Sequence, residues 1–317
     1  MFGLKPDWSL ELPPRYFTFE DYEGGEGRWC PGCGDFAVLT AVQRICRDKQ
    51  LAPEKVVCVS GIGCSSRFPH YMSTYGFHGL HGRAIPVACG VKARRPDLDV
   101  WVATGDGDCC SIGAGHWIHG IRYNMNITVM LFDNAIYGLT KKQTSPTSPQ
   151  GMSTNTHPRG AVLPPLNPTQ VTLGLTNASF VAQTIDWNPL HLHATLLAAH
   201  EHRGLSFVRI LQRCPTYSDH VFEQLQSDPS MITMLEHDDG IPINPALHRV
   251  FENSLTHDPS DMKAARELAD RTDTVPIGMF YYDPTRPKYD EYTAQGLDVN
   301  ADEKVRAINE ELERFAM

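Results

Sequence analysis

The chain of 317 residues has no basic excess: 28 Lys and Arg stand against 37 Asp and Glu, a formal charge of −9. A protein that grips a phosphate backbone shows the opposite imbalance, so nucleic acid is not an expected partner. No apolar run reaches the ~20 residues of a membrane helix, and no membrane association is expected. The opening stretch MFGLKPDWSLELPPRYF carries acids and prolines where a secretory signal has its apolar segment, so the expected location is cytoplasmic. Two phosphate-binding fingerprints are also missing. There is no Gly-Lys pair, which excludes a Walker-type loop, and Gly105-Asp-Gly107 does not continue as G-x-G-x-x-G because Cys110 takes the third glycine's place. No internal repeat or low-complexity tract is visible.

What is there is an ordinary globular composition, 41% hydrophobic and 21% charged, with an unusual nine cysteines. A reducing compartment does not maintain structural disulfides, so metal ligation, redox chemistry or burial must account for them. Residues 1–29 are polar, rich in proline and aromatics, and aperiodic; they read as an arm on the surface or on a partner. From residue 30 to about 220, strand-like and helical stretches alternate. Strands are predicted at Lys55–Ser60, Val100–Thr104, Ile127–Asp133, Ser179–Ile185 and Leu205–Leu211, and helices at Asp35–Asp48, Arg83–Ala93, Ile112–Asn124 and Leu190–His202. Runs such as Ile-Thr-Val-Met-Leu-Phe suit strands buried on both faces, and the alternation predicts an α/β, doubly wound, mostly parallel sheet. A Ser/Thr/Pro/Gly-rich loop spans Thr140 to about Gln170, a length usually reserved for function or disorder. Residues 221–317 read as an acidic extension packing on the core or on a partner subunit. Helices are expected there at Asp261–Arg271 and Ala301–Phe315, with Thr274–Tyr281 extended between them.

Four polar or cysteine-bearing turns each follow a predicted strand: Gly61-Ile-Gly-Cys64, Gly105-Asp-Gly-Asp108, Asp133-Asn-Ala-Ile-Tyr-Gly138 and Arg213-Cys214. Ligands of parallel α/β sheets sit outside the carboxyl ends of the strands, so these turns are expected to converge on one site. Within it, the glycines around Asp106 let the backbone approach an anion, and the following helix start favours negative charge. A carboxylate among phosphate-binding amides requires a cation between them. Asp106 is the natural Mg²⁺ ligand, Asn134 adds an amide oxygen, and the Ile136 carbonyl another. Read alone, Gly-Asp-Gly-Asp is as often a plain turn.

Cys30-Pro-Gly-Cys33 precedes an amphipathic helix and suits zinc, an iron–sulfur centre or a redox dithiol. Zinc's usual second C-x-x-C is absent. Cys64 and Cys214 stand alone at the strand-end edge, so the four cysteines together would make a full ligand set. Cys46, Cys58 and Cys89 fall on apolar positions and read as packing residues, as Cys109 and Cys110 do after the diphosphate turn.

Gly105-Asp106-Gly107, then 25 residues, then Asp133-Asn134, resembles the cation-and-diphosphate signature of thiamine-diphosphate enzymes. That signature usually ends in two asparagines, and this chain has Asp133 in the first place. The resemblance implies Asp106, Asn134 and the Ile136 carbonyl on Mg²⁺, with Gly107, Asp108, Gly138 and Leu139 against the cofactor. Trp29-Cys-Pro-Gly-Cys-Gly-Asp35, Gly61-Ile-Gly-Cys-Ser65, His81-Gly-Arg-Ala84, Tyr137-Gly-Leu-Thr140 and Ser145-Pro-Thr-Ser148 together resemble the β subunit of 2-oxoacid:ferredoxin oxidoreductases, over about residues 29–215. This resemblance implies one [4Fe–4S] cluster on Cys30, Cys33, Cys64 and Cys214, with Ile62, Gly63, Cys64, Ser65 and His81 at the cofactor.

The implied reaction is reversible, coenzyme A-dependent oxidative decarboxylation of a 2-oxoacid, with electrons passed to ferredoxin. His81 and Arg67 are the catalytic candidates; Arg67 follows Cys64 by one helical turn and suits a carboxylate clamp, although a surface ion pair is its plain alternative. A second carboxylate clamp makes 2-oxoglutarate the leading substrate, with pyruvate the alternative. The family also implies a larger α subunit, which brings the glutamate that faces the aminopyrimidine ring. Lys92-Ala-Arg-Arg95 is a candidate patch for ferredoxin, a solvated helix end being the more ordinary reading. Competing readings are a non-redox thiamine-diphosphate decarboxylase subunit with structural zinc, and a zinc-stabilised binding module.

Overall fold

The computed structural model describes residues 15–294 and 300–315. Among them, nine strands form one sheet: β1 (Val56–Ser60), β2 (Tyr75–His78), β3 (Asp99–Gly105), β4 (Ile127–Asp133), β5 (Phe180–Ile185), β6 (Leu205–Leu211), β7 (Ile232–Glu236), β8 (Asn253–Thr256) and β9 (Val275–Tyr282), in the order β2-β1-β3-β4-β6-β5-β9-β7-β8. The first six are parallel to their neighbours. β9 joins β5 antiparallel, and β7 and β8 run parallel to β9. The registers Ser60↔Ala103, Gly105↔Phe132 and Asp133↔Leu211 bring β1, β3, β4 and β6 to an end at nearly one level. Four adjacent carboxyl ends therefore share one edge.

Every residue of β4 is buried, because helices cover both faces of the sheet. Alternate side chains part to opposite sides. Met130 and Phe132 join one core with α1 (Asp35–Asp48) and α5 (Pro189–Glu201). Ile127, Val129 and Leu131 join another with α2 (Ala84–Arg94), α3 (Ala114–Tyr123) and α7 (Met262–Ala269). The short α4 (Pro168–Leu173) closes the long loop, and α6 (Glu223–Ser227), α8 (Tyr289–Ala294) and α9 (Ala301–Arg314) lie in the C-terminal part. α4 and α5 start on Asn167 and Asn188, whose side chains accept from the first-turn amides while proline follows at the first helical position.

The strongly periodic elements lie within two residues of their expected bounds. Three strands were not expected: β2, β7 and β8. β2 is an exposed edge of four residues and β8 likewise, so neither carries an apolar signal. The C-terminal part does more than pack on the core: β7, β8 and β9 extend the same sheet. The N-terminal arm is also rooted in the core where it is described; its residues 1–14 lie outside the described residues. Tyr22 is fully buried and donates its hydroxyl to the Leu51 carbonyl at 2.6 Å. Trp29 packs edge-on to Tyr71 and donates its indole N–H to the Cys64 carbonyl at 2.7 Å. Single aromatic plugs leave no periodic trace, which is why this part reads as surface.

Candidate active site at the carboxyl edge

The turns after β1, β3 and β4 line one cleft. Its walls carry Ile62, Gly63, Cys64 and Ser65 from the first, Asp106, Gly107 and Asp108 from the second, and Asn134, Ile136, Gly138 and Leu139 from the third, with His81 beside them. Tyr137 and Thr140 complete it. Gly63 has φ +140°, and a Cβ there would meet nothing within 4 Å, so its backbone faces open space that a side chain would occupy.

Two aspartates of the β3 turn, both buried, have different jobs. Asp108 is saturated: Oδ1 accepts from the Ile62 amide at 3.0 Å, the Gly82 amide at 2.7 Å and His81 Nδ1 at 2.6 Å, and Oδ2 accepts from Thr104 at 2.7 Å. It ties three segments of the site together. With Nδ1 of His81 given to Asp108, Nε2 is the ring nitrogen left for the cleft. The side-chain donors to Asp106 are hydroxyls, Ser145 at 2.5 Å and Thr147 at 2.7 Å, both on Oδ2, with the Gly107 amide beside them. Burial, and after it the charge of Asp133, push the Asp106 carboxyl up to about 7.

Proton counting agrees. The Thr147 hydroxyl lies 2.7 Å from Asp106 Oδ2 and 2.7 Å from Asp133 Oδ1, yet it has one proton to give. Asp133 is already paired with Arg209, at 2.6 Å, so the second proton belongs on Asp106. A buried carboxyl that keeps a proton in this way fits the place of a cation ligand. Asn134 donates from Nδ2 to Gln212 at 2.8 Å, while its Oδ1 accepts from the Ile136 amide at 3.2 Å in a local turn. Ala135 takes a left-handed φ of +59° to make that turn.

Behind the cleft lie the cysteines. A Cβ on Gly138 would stand 3.4 Å from Cys64 Sγ and 3.9 Å from Cys214 Sγ, so Gly138 is a thin wall between cleft and thiols. Burial, followed by the Asp35 charge, raises the Cys33 thiol, and the neighbouring Cys64 and Cys214 raise it further. Cys64 is pushed up to about 12, chiefly by burial, with Asp35, Cys214 and Cys30 adding to it. Cys33 thus feels Cys64 and Cys214, and Cys64 feels Cys214 and Cys30; all four are free thiols, and Cys30 is exposed. Among the described residues, no three His, Cys, Asp or Glu side chains are gathered at the distances of a single bound ion. Gln212 links the two halves of the site, holding Asn134 while donating to Cys33 Sγ at 3.4 Å. Asp35 is fully buried beside Cys33 with neither oxygen partnered, and burial pushes it up to about 7.

Cys46 and Cys58 are buried in the core, Cys109 and Cys110 are buried on the other face, and Cys89 is half-buried there. Arg67 stands next to Cys64 but not in the cleft wall: its Nε donates to the Tyr71 hydroxyl at 2.7 Å and its guanidinium lies over that ring. Lys92 is no surface charge at all. It is 5% exposed, gives its ammonium to the Leu98 carbonyl at 2.7 Å, and burial lowers its pKa. Arg95 is paired with Asp97, so of the candidate patch only Arg94 is left exposed and unpaired among the described residues. Ser145, Thr147, Arg209 and Gln212 were not assigned site roles from sequence; the Ser145-Pro-Thr-Ser148 motif and the Ser/Thr density of the long loop pointed toward the first two.

A family model described as "Thiamine pyrophosphate enzyme, C-terminal TPP binding domain" matches residues 51–210, and a model of the C-terminal part of the pyruvate ferredoxin oxidoreductase beta chain matches 247–296. The 2-oxoglutarate oxidoreductase subunit KorB of Mycobacterium tuberculosis is 47% identical over 69% of this chain, an alignment that spans 58% of that relative. Subunit beta of 2-oxoacid:ferredoxin oxidoreductase 2 of Aeropyrum pernix is 38% identical over 83% of this chain and 82% of its own length. Among solved structures, a 2-oxoglutarate:ferredoxin oxidoreductase from Magnetococcus marinus, with 2-oxoglutarate, coenzyme A and succinyl-CoA bound, matches with a TM-score of 0.78 and 36% identity, over 92% of this chain and 96% of that one. No helix among the described residues is long and apolar enough to cross a membrane. A cleft at three parallel strand ends, a buried Asp106 in its wall and the thiols of Cys64 and Cys214 beside its Gly138 agree with these likenesses: the chain belongs to the β subunits of the 2-oxoacid:ferredoxin oxidoreductases.

Proposed function

We propose that the chain, with an α subunit, catalyses coenzyme A-dependent oxidative decarboxylation of 2-oxoglutarate, reversibly, and delivers the electrons to ferredoxin in the cytoplasm. The observation that carries this reading is the closeness at Gly138: Cys64 itself lines the cleft, and a Gly138 Cβ would stand 3.4 Å from Cys64 Sγ and 3.9 Å from Cys214 Sγ. When bound, thiamine diphosphate supplies carbanion-stabilising chemistry and a [4Fe–4S] cluster supplies one-electron acceptance.

The chain's own residues bind and orient. Asp106, Asn134 and the Ile136 carbonyl hold Mg²⁺, with Asp106 giving up its proton to do so. Gly107, Gly63, Ile62, Ser65 and Leu139 shape the cofactor's bed. Asp108 works through His81, fixing its ring so that Nε2 can hold or move a proton at the cleft. Arg67, held by Tyr71 beside Cys64, is kept as a candidate for the substrate carboxylate. 2-Oxoglutarate is favoured by the Mycobacterium tuberculosis and Magnetococcus marinus relatives, both named for it. Pyruvate is the second reading, favoured by the family model over residues 247–296.

Cys214→Ser is expected to strip most of the iron and acid-labile sulfide from the anaerobically purified complex, and Cys89→Ser to leave both in place. Equal iron in the two variants, or stoichiometric zinc in the unaltered protein, would overturn the cluster assignment. Reduction of ferredoxin with 2-oxoglutarate against pyruvate then decides the substrate.

A further inference from the structure

Position 133 carries a carboxylate where the thiamine-diphosphate signature usually carries an amide. Asp133 is 1% exposed at the end of β4, and an unpaired charge there would be costly. Its Oδ2 lies 2.7 Å from Nε of Arg209 and 2.6 Å from the terminal nitrogen Nη2, a forked ion pair reaching across from β6. Its Oδ1 accepts from the Thr147 hydroxyl, which also touches Asp106. Only that hydroxyl separates the two carboxylates. Arg209 is not free to swing elsewhere, because Nη1 donates to Gln183 at 3.1 Å and to Asn167 at 3.3 Å.

An asparagine at this position brings no charge; an aspartate with an arginine brings none either. We propose that Arg209 is a positioning residue that sets the charge of the cation site: by neutralising Asp133 it leaves Asp106 as the one uncompensated carboxylate facing the metal. The inference rests on the reading that Asp106 and Asn134 hold Mg²⁺. It has an unexpected consequence. Asp133→Asn, which restores the family's usual residue, removes the anion and leaves a guanidinium unpaired one hydroxyl away from the metal ligand. Mg²⁺ affinity then falls by about tenfold or more. Arg209→Gln added to Asp133→Asn takes the cation away as well, and affinity returns to within about threefold of the unaltered protein.

The test is Mg²⁺ titration of thiamine-diphosphate binding by calorimetry on the complex with its α partner, for Asp133→Asn, for the double variant and for Asp106→Ala. Thermal melting of each reports folding. Weak binding in Asp133→Asn with recovery in the double variant supports the charge-balance role. A merely structural tie predicts a double variant no better than Asp133→Asn. That result, or an Asp133→Asn variant with unchanged affinity, overturns the proposal. If Asp106→Ala binds Mg²⁺ as tightly as the unaltered protein, the cation assignment itself fails, which is a different outcome from failure of Arg209's role.

Discussion

The two edges of the sheet treat buried polar groups in opposite ways. At the amino edge of the parallel strands they are given to one another. Asn124 Oδ1 accepts from Ser179 at 2.6 Å and from the Leu205 amide at 2.8 Å, its Nδ2 donates to the Pro287 carbonyl, and Lys92 is spent on Leu98. At the carboxyl edge the groups are left wanting. Asp106 and Asp35 are held near neutrality by burial, Gly63 faces open space, and the thiols of Cys64 and Cys214 stand close beside one glycine. Unpartnered polar atoms occur at the amino edge too, as at His202 Nδ1. But a whole buried carboxyl without a partner, Asp35, and a second one raised by burial in the cleft wall, Asp106, stand at the carboxyl edge, and that difference marks the working edge.

The largest expected effect separates two neighbours within that edge. On the Mg²⁺ assignment proposed above, Asp106→Ala removes the ligand and frees the Ser145 and Thr147 hydroxyls. Mg²⁺-dependent cofactor affinity therefore falls by at least about a hundredfold, while iron content holds and the melting temperature falls less than for Asp108→Asn. Asp108→Asn, two residues on, leaves the Ile62 and Gly82 amides and His81 competing for one uncharged oxygen. It costs about 2–4 kcal/mol of stability, read by chemical denaturation, and lowers cofactor affinity through disorder of the turns. Matching phenotypes for the two would erase the distinction between ligand and tie.

Legibility in the sequence follows the same division. Long apolar runs announced the parallel core because burial on both faces leaves β4 and β6 mostly apolar, with the polar Asp133 and Arg209 toward their carboxyl ends. The convergence of four turns was legible because strand ends in parallel order must meet at one edge. Hidden from the sequence were relations between distant positions of matched chemistry. Arg209 on β6 neutralises Asp133 on β4, and Gln212 joins Asn134 to Cys33; no spacing encodes these pairs. The run at residues 92–95 departs from the solvated helix end read for it at Lys92, because a lysine stem can bury and still find a carbonyl for its head, here that of Leu98.

A middle-sized effect is expected at the amino edge. Asn124 caps α3 in a left-handed conformation, φ +48°, and carries the hydrogen bonds to Ser179, Leu205 and Pro287. Asn124→Ala forfeits them and strains the backbone, a loss of about 2–4 kcal/mol in denaturation. Affinity for the cofactor, measured well below the melting temperature, is expected to stay within about twofold. A hundredfold loss of affinity would mean that the two edges are coupled and the comparison is false.

The smallest effect is a pH dependence, and it too belongs to the amino edge. Ser179 donates its one proton to Asn124, so His202 Nε2, at 2.9 Å, must be the donor to Ser179, which leaves Nδ1 bare. Burial holds the ring neutral, with its pKa lowered to about 4, and burial alone does the same to His191. Each histidine binds its proton more readily in the unfolded chain, where its pKa is near 6.5. The stability it contributes is complete above about 6.5 and drains away as the pH falls toward about 4, by at most about 3 kcal/mol for His202. His202→Gln keeps an N–H for Ser179 and removes the titration. Denaturation curves at pH 7 and pH 5 should therefore lie closer together for this variant than for the unaltered protein. An unchanged gap would show that the acid sensitivity comes from another buried histidine such as His191, because the site carboxyls, raised by burial, gain stability as the pH falls.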